Sequence, residues 1–91
     1  MNRYKLQAQS NARLRTILDT SFQPEFVYFT TPNPEQHPER LVLLLKRTNA
    51  TFPERPWSTH YWNGTYLNSG NYDLTEEEGD KDFEYRSKRG Y

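Results

Sequence analysis

The segment Trp57-Ser-Thr-His-Tyr-Trp-Asn-Gly-Thr-Tyr-Leu-Asn-Ser69 constrains the fold more than any other part of the chain. Asn63-Gly64 lies between strand-forming residues, and a two-residue type I′ turn needs positive φ at both central positions. The predicted hairpin sets Trp62 opposite Thr65, Tyr61 opposite Tyr66 and His60 opposite Leu67. Because strand side chains alternate, one side carries Thr59, Tyr61, Tyr66 and Asn68. The other carries Ser58, His60, Trp62, Thr65 and Leu67. Rings lie on both sides, so burial of one leaves aromatic surface on the other. Gly70-Asn71 ends the ribbon, and Tyr72 to Leu74 form a bridge to the C-terminal segment.

Two more strands are expected upstream. Glu25 to Thr31 contains Phe26, Val27, Tyr28 and Phe29 in succession, a run suited to burial on both faces. Leu41 to Thr48 begins apolar and ends basic. The loop Pro32–Pro38 joins them, and a connector of this length favours antiparallel pairing. Residues 49–56, with Pro53 and Pro56, form a second loop.

A helix is expected at each end. Over residues 3–19, Tyr4, Gln7, Asn11, Leu14 and Leu18 share a face, with Leu6 and Ile17 at its edge. Tyr4, Leu6 and Ala8 also alternate with period two, so a short leading strand is the competing reading. Asp19 to Pro24 breaks the pattern. Thr75 and Glu78 form a capping box at the start of a helix over about 76–88. Its acids come early and its bases late, as the macrodipole favours, while Gly79 costs it about 1 kcal/mol. Phe83, with Tyr72 or Leu74 before it, is its apolar side. The result is one α+β domain over 1–91. It has about four mostly antiparallel strands and two helices packed on one face.

Composition narrows the function. The chain of 91 residues is only 33% hydrophobic but 15% aromatic, so its core leans on rings. Twelve Lys+Arg offset twelve Asp+Glu, which disfavours both a basic nucleic-acid coat and an acidic nucleic-acid mimic. Without Cys there are no disulfides, zinc fingers, iron–sulfur clusters or thiol catalysis. The longest apolar run, Leu41–Leu45, is of strand length, and no apolar block comes after the N-terminal charges. A cytoplasmic location is expected, and the sequons at Asn49 and Asn63 carry little weight.

Each candidate site has a plainer structural reading beside it. His37 and His60 lack a partner at metal spacing, and no metal or other cofactor is expected. Glu76, Glu77, Glu78, Asp80 and Asp82 lack the order of a calcium loop and suit a solvated helix start. His60 could act as a base if Asp73 and Tyr66 came near it, but no spacing requires this. No nucleophile elbow or phosphate-binding glycine motif occurs. Trp57, Tyr61, Trp62 and Tyr66 supply either core or interface anchors. Arg40, Lys46, Arg47 and Arg55 lie where they could hold phosphates while the rings stack bases.

Charge is also unevenly spread. Arg3, Lys5, Arg13 and Arg15 oppose the acids of residues 73–84. These groups either offset each other or serve as interaction patches. The leading expectation is a non-enzymatic module that occupies the surface of a protein partner or nucleoprotein complex. Trp57, Tyr61, Trp62 and Tyr66 would anchor it, and the acids of 76–82 would steer it. Short inhibitors of phages and mobile elements, anti-CRISPR and other anti-defence proteins among them, fit this profile as a class. The alternatives are a single-stranded nucleic-acid binder using the aromatic ribbon and a small enzyme centred on His60. An uncovered sheet edge would favour a homodimer.

Overall fold

The structure, a computed structural model, describes residues 12–89 and the backbone pairing of residues 4–5. The elements are β1 (Tyr4–Lys5), α1 (Ala12–Ile17), a π-helical turn (Leu18–Phe22), β2 (Pro24–Thr30), β3 (Leu41–Arg47), β4 (Trp57–Trp62), β5 (Leu67–Leu74) and α2 (Glu76–Arg89). Strands stand in the sheet in chain order, each antiparallel to its neighbour. The expected α+β architecture is present: β2 to β5 are the four expected antiparallel strands, and the two-residue β1 adds a fifth at the β2 edge.

The N-terminal helix is shorter than periodicity suggested. Tyr4 and Lys5 pair with Phe29 and Tyr28 as a strand, in line with the competing reading. The part of the expected helix over residues 6–11 lies outside the described residues. Toward its other end the helix widens into a π turn instead of stopping at Asp19. Thr16 and Thr20 each turn a hydroxyl onto the carbonyl four residues back, which competes with the regular ladder and bends it. The wide turn closes with Gln23 N–H donating to Leu18 O at 2.8 Å, and Pro24 then starts β2.

β3 is the spine of the domain. Its first five residues, Leu41 to Leu45, are all buried, and alternation sends them to opposite faces. Leu41, Leu43 and Leu45 pack with Leu14, Leu18 and Trp62, supported by Ile17, Phe22, Val27, Phe29 and Leu67. Val42 and Leu44 pack with Trp57 and Phe83, supported by Tyr28, Tyr61 and Leu74. Each helix therefore lies on the sheet, but α1 and α2 cover opposite faces instead of sharing one. The reason is β3 itself: a strand apolar on both sides needs a cover on both.

The β4–β5 register also differs from the two-residue turn. Trp62 pairs with Leu67 and Tyr61 with Asn68. Asn63 Oδ1 accepts the N–H groups of Thr65 and Tyr66 at 2.8 and 2.9 Å. This side-chain cap opens a four-residue loop over 63–66, in which Gly64 has φ 98°. Face assignments survive, because the partner moves by an even number of residues. Tyr66, however, leaves the ribbon for the loop tip. β5 continues past Gly70-Asn71 to Leu74, with register shifts along its pairing to β4. Ser69 and Asp73 take positive φ within it, and such irregularities twist an edge strand.

α2 begins with the expected capping box: Thr75 N–H donates to Glu78 Oε1 at 2.9 Å, and Glu78 N–H to Thr75 Oγ1 at 3.2 Å. Gly79 is not merely a weak helical residue. It is buried against the sheet, and a Cβ there would lie 3.0 Å from Leu44 Cδ1 and 3.2 Å from Trp57 Cβ. Its lack of a side chain sets how closely α2 approaches. No helix among the described residues is long and apolar enough to cross a membrane.

Candidate functional site

A cleft of about 480 Å³ opens between the sheet and the C-terminal half of α2. Tyr61, Asn68, Ser69 and Asn71 line it from β4 and β5. Asp82, Tyr85, Arg86 and Arg89 line it from α2, where a spacing of three, four and seven residues keeps them on one face. The capping box and Gly79 fix where this face lies along the sheet.

Asp82 and Arg86 anchor the cleft. Asp82 Oδ2 accepts from the Thr59 hydroxyl, from Asn71 Nδ2 at 2.9 Å and from Arg86 Nε at 3.1 Å. Burial alone would raise the Asp82 carboxyl, but the Thr59 and Asn71 hydrogen bonds and the Arg86 charge outweigh it and hold it below its usual pKa. Arg86 is only 7% exposed, and its guanidinium carbon lies 4.7 Å from the Tyr61 ring centroid. Its Nη1 is buried and finds no hydrogen-bond acceptor among the described residues. Tyr85 beside it is 60% exposed.

The expected aromatic anchors are dispersed. Trp57 and Trp62 are 5% and 0% exposed and belong to the cores on opposite faces, so the fold uses both for packing. Tyr61 is half-buried in the cleft, and Tyr66 stands on the hairpin loop at 57% exposure. The four therefore form no common surface. Among the described residues, Phe52, Tyr72 and Tyr85 are the other exposed rings.

The acids divide too. Glu76, Glu77 and Glu78 are exposed, whereas Asp80 and Asp82 are half-buried. Glu77 pairs with Lys81 at 3.2 Å and Glu78 with Arg55 at 2.7 Å. The Thr75 N–H and hydroxyl, with Arg55, hold the Glu78 carboxyl below its ordinary pKa. Asp82 alone of the group enters the cleft.

The basic residues proposed for phosphate contact are engaged within the fold. Lys46 meets Glu25 at 3.3 Å, Arg47 meets Asp73 at 3.4 Å, and Arg55 also donates to Asp73 O at 3.0 Å. Arg40 is half-buried in the β2–β3 connector. His60 is 1% exposed, with Nε2 2.9 Å from Ser58 Oγ and its ring edge-on to Phe22 and Tyr72. Burial, then the charges of Arg86 and Arg47, lowers its pKa to about 4, so it is neutral at pH 7. Tyr66 at the loop tip and Asp73 on Arg47 do not assemble a constellation around it. Among the described residues, no three His, Asp or Glu side chains gather as metal ligands.

Sequence reasoning missed Tyr85, Arg86, Arg89 and Asn71. Arg86 and Arg89 were legible only as bases complementing the helix dipole. The i, i+4 pair Asp82–Arg86 was the available signal, but such pairs usually lie on a solvated face. Comparison with protein-family models, curated proteins and solved structures finds no match for this chain.

Proposed function

We propose that the chain is a small non-enzymatic binding module that acts by occupying the surface of a protein partner. Inhibitors and adaptors of phages and mobile elements, including those directed at host defence complexes, are the class that suits it. The observation that carries this reading is the α2 cleft, where an exposed Tyr85 stands beside an immobilised Arg86 and a half-buried Tyr61. Tyr and Arg concentrate binding energy at interfaces, and side chains already held in place lose little entropy when bound. Burial of His60 weighs against chemistry centred on it, and ion pairing of Lys46, Arg47 and Arg55 weighs against a phosphate track.

The test is affinity capture with tagged wild type and Tyr85→Ala, with and without nuclease. A stoichiometric protein that survives nuclease and is lost by Tyr85→Ala supports the reading. Equal capture by both proteins refutes the cleft as the contact surface. Capture that vanishes with nuclease and falls steeply with salt transfers the role to nucleic-acid binding.

A further inference from the structure

We propose that the α2 cleft receives an acidic side chain, Asp or Glu, carried on an extended segment of a protein partner. This rests on the protein-binding reading above and names the chemistry of its site. Charge is the first argument. The lining holds the guanidinium groups of Arg86 and Arg89 against one carboxylate, Asp82. Asp82 is already engaged by Thr59, Asn71 and Arg86, so a guest acid does not need to displace it.

Donor capacity is the second. Arg86 Nη1 is buried with no acceptor among the described residues, and Arg89 makes no ion pair among them. Arg86 was desolvated when the chain folded and its Nη1 is sealed from solvent, so it attracts a guest carboxylate through its charge without incurring that cost again. Exposed Arg89 meets the guest at the rim, while Arg86 supplies fixed charge in the wall. One excess positive charge matches a monoanionic carboxylate; a phosphate dianion would face Asp82 with a charge left over.

Position is the third argument. β5 is the outermost strand on this side, and Asn68, Ser69 and Asn71 bring its edge to the cleft. An extended segment can lie along that edge, but the positive-φ residues Ser69 and Asp73 interrupt regular pairing. Contact along the backbone is therefore short, and selection falls to the side chain entering the cleft. Tyr85 provides a ring against which the segment's neighbouring side chain can rest.

The test is an NMR titration of the full chain with N-acetyl-glutamate N-methylamide, whose only carboxylate is in the side chain. The glutamine analogue, inorganic phosphate and oligothymidylate are run beside it. The expected result is saturable shifts at the Arg86 and Arg89 Nε–H signals and at amides 68–71. Binding should be roughly tenfold weaker for the glutamine probe and for Arg89→Gln, because each removes a charge-assisted hydrogen bond. Arg89 is exposed, so this variant is expected to keep the wild-type spectrum elsewhere. Equal response to both amino-acid probes, or no saturable shift up to probe solubility, overturns the acid site. Tighter saturation of these signals by phosphate or oligothymidylate also overturns it. If the acid site fails while Tyr85→Ala still abolishes partner capture, the binding reading stands without this chemistry. Loss of both results removes both.

Discussion

Gly79→Ala gives opposite expectations from helix propensity and from packing. Gly in an exposed helix interior costs about 1 kcal/mol relative to Ala, so propensity predicts stabilisation by that amount. Here the new methyl would lie 3.0 Å from Leu44 Cδ1 and 3.2 Å from Trp57 Cβ. Leu44 is fully buried in the central strand, and Trp57 Cβ is tied to the backbone of β4. Leu44 Cδ1 is a side-chain end but is packed within the core, and Trp57 Cβ cannot move without its strand, so relief requires α2 to rise and loosen Phe83. Overpacking of this kind costs about 1–3 kcal/mol. Setting the propensity gain against the middle of that range leaves a net loss of about 1 kcal/mol. For a domain of this size, that lowers Tm by about 4–8 °C. Thermal unfolding followed by circular dichroism reads the shift, and urea titration followed by tryptophan fluorescence supplies the free energy. A rise in Tm would refute the argument, because it would mean that α2 stands farther from the sheet than Gly79 requires.

Three other expectations rest on named contacts. Trp62→Ala should lose about 3–5 kcal/mol in urea unfolding, whereas Tyr66→Ala should stay within about 0.5 kcal/mol; similar losses would contradict their opposite burial. The His60 pKa falls from 6.5 for a solvated imidazole to about 4 in the fold, so its contribution is intact above about pH 6.5 and declines as pH falls toward 4. The total is about 3 kcal/mol, and matching stability–pH curves for wild type and His60→Leu over this window would disprove it. Thr75→Ala should cost about 1 kcal/mol through the lost N-cap, visible as a lower urea midpoint; an unchanged midpoint would show that the box contributes nothing net.

Local rules made much of the fold legible. Leu41–Leu45, the Phe26–Phe29 run and the Thr75–Glu78 box each carry a signal within a few residues, and the corresponding strands and helix start are present. The β4–β5 register was less accessible, because Asn63 could either take positive φ in a tight turn or cap a wider loop with its side chain. The second option is the one realised. Faces were legible for each strand but not for the helices. Periodicity says that a helix has an apolar side, not which side of a sheet receives it. The cleft was less legible still. Asp82, Arg86 and Arg89 had the composition of an exposed face, and only the approach of α2 at Gly79 brings them against Tyr61 and Asn71.

The order of strands in the sheet has a kinetic consequence. From β2 to β5, each strand hydrogen-bonds to its predecessor in the chain across connectors at 31–40, 48–56 and 63–66. Closing loops of such length takes on the order of 10–100 ns, and hairpins form in about 1–10 μs. None of the described strands pairs in parallel, so they need no crossover, and β1 is the one separated from its partner strand by a helix in the chain. The sheet can therefore assemble one ribbon at a time, with contacts closer in sequence than those of a sandwich or barrel. Refolding should be correspondingly fast, leaving little time for an unpaired strand to meet another chain.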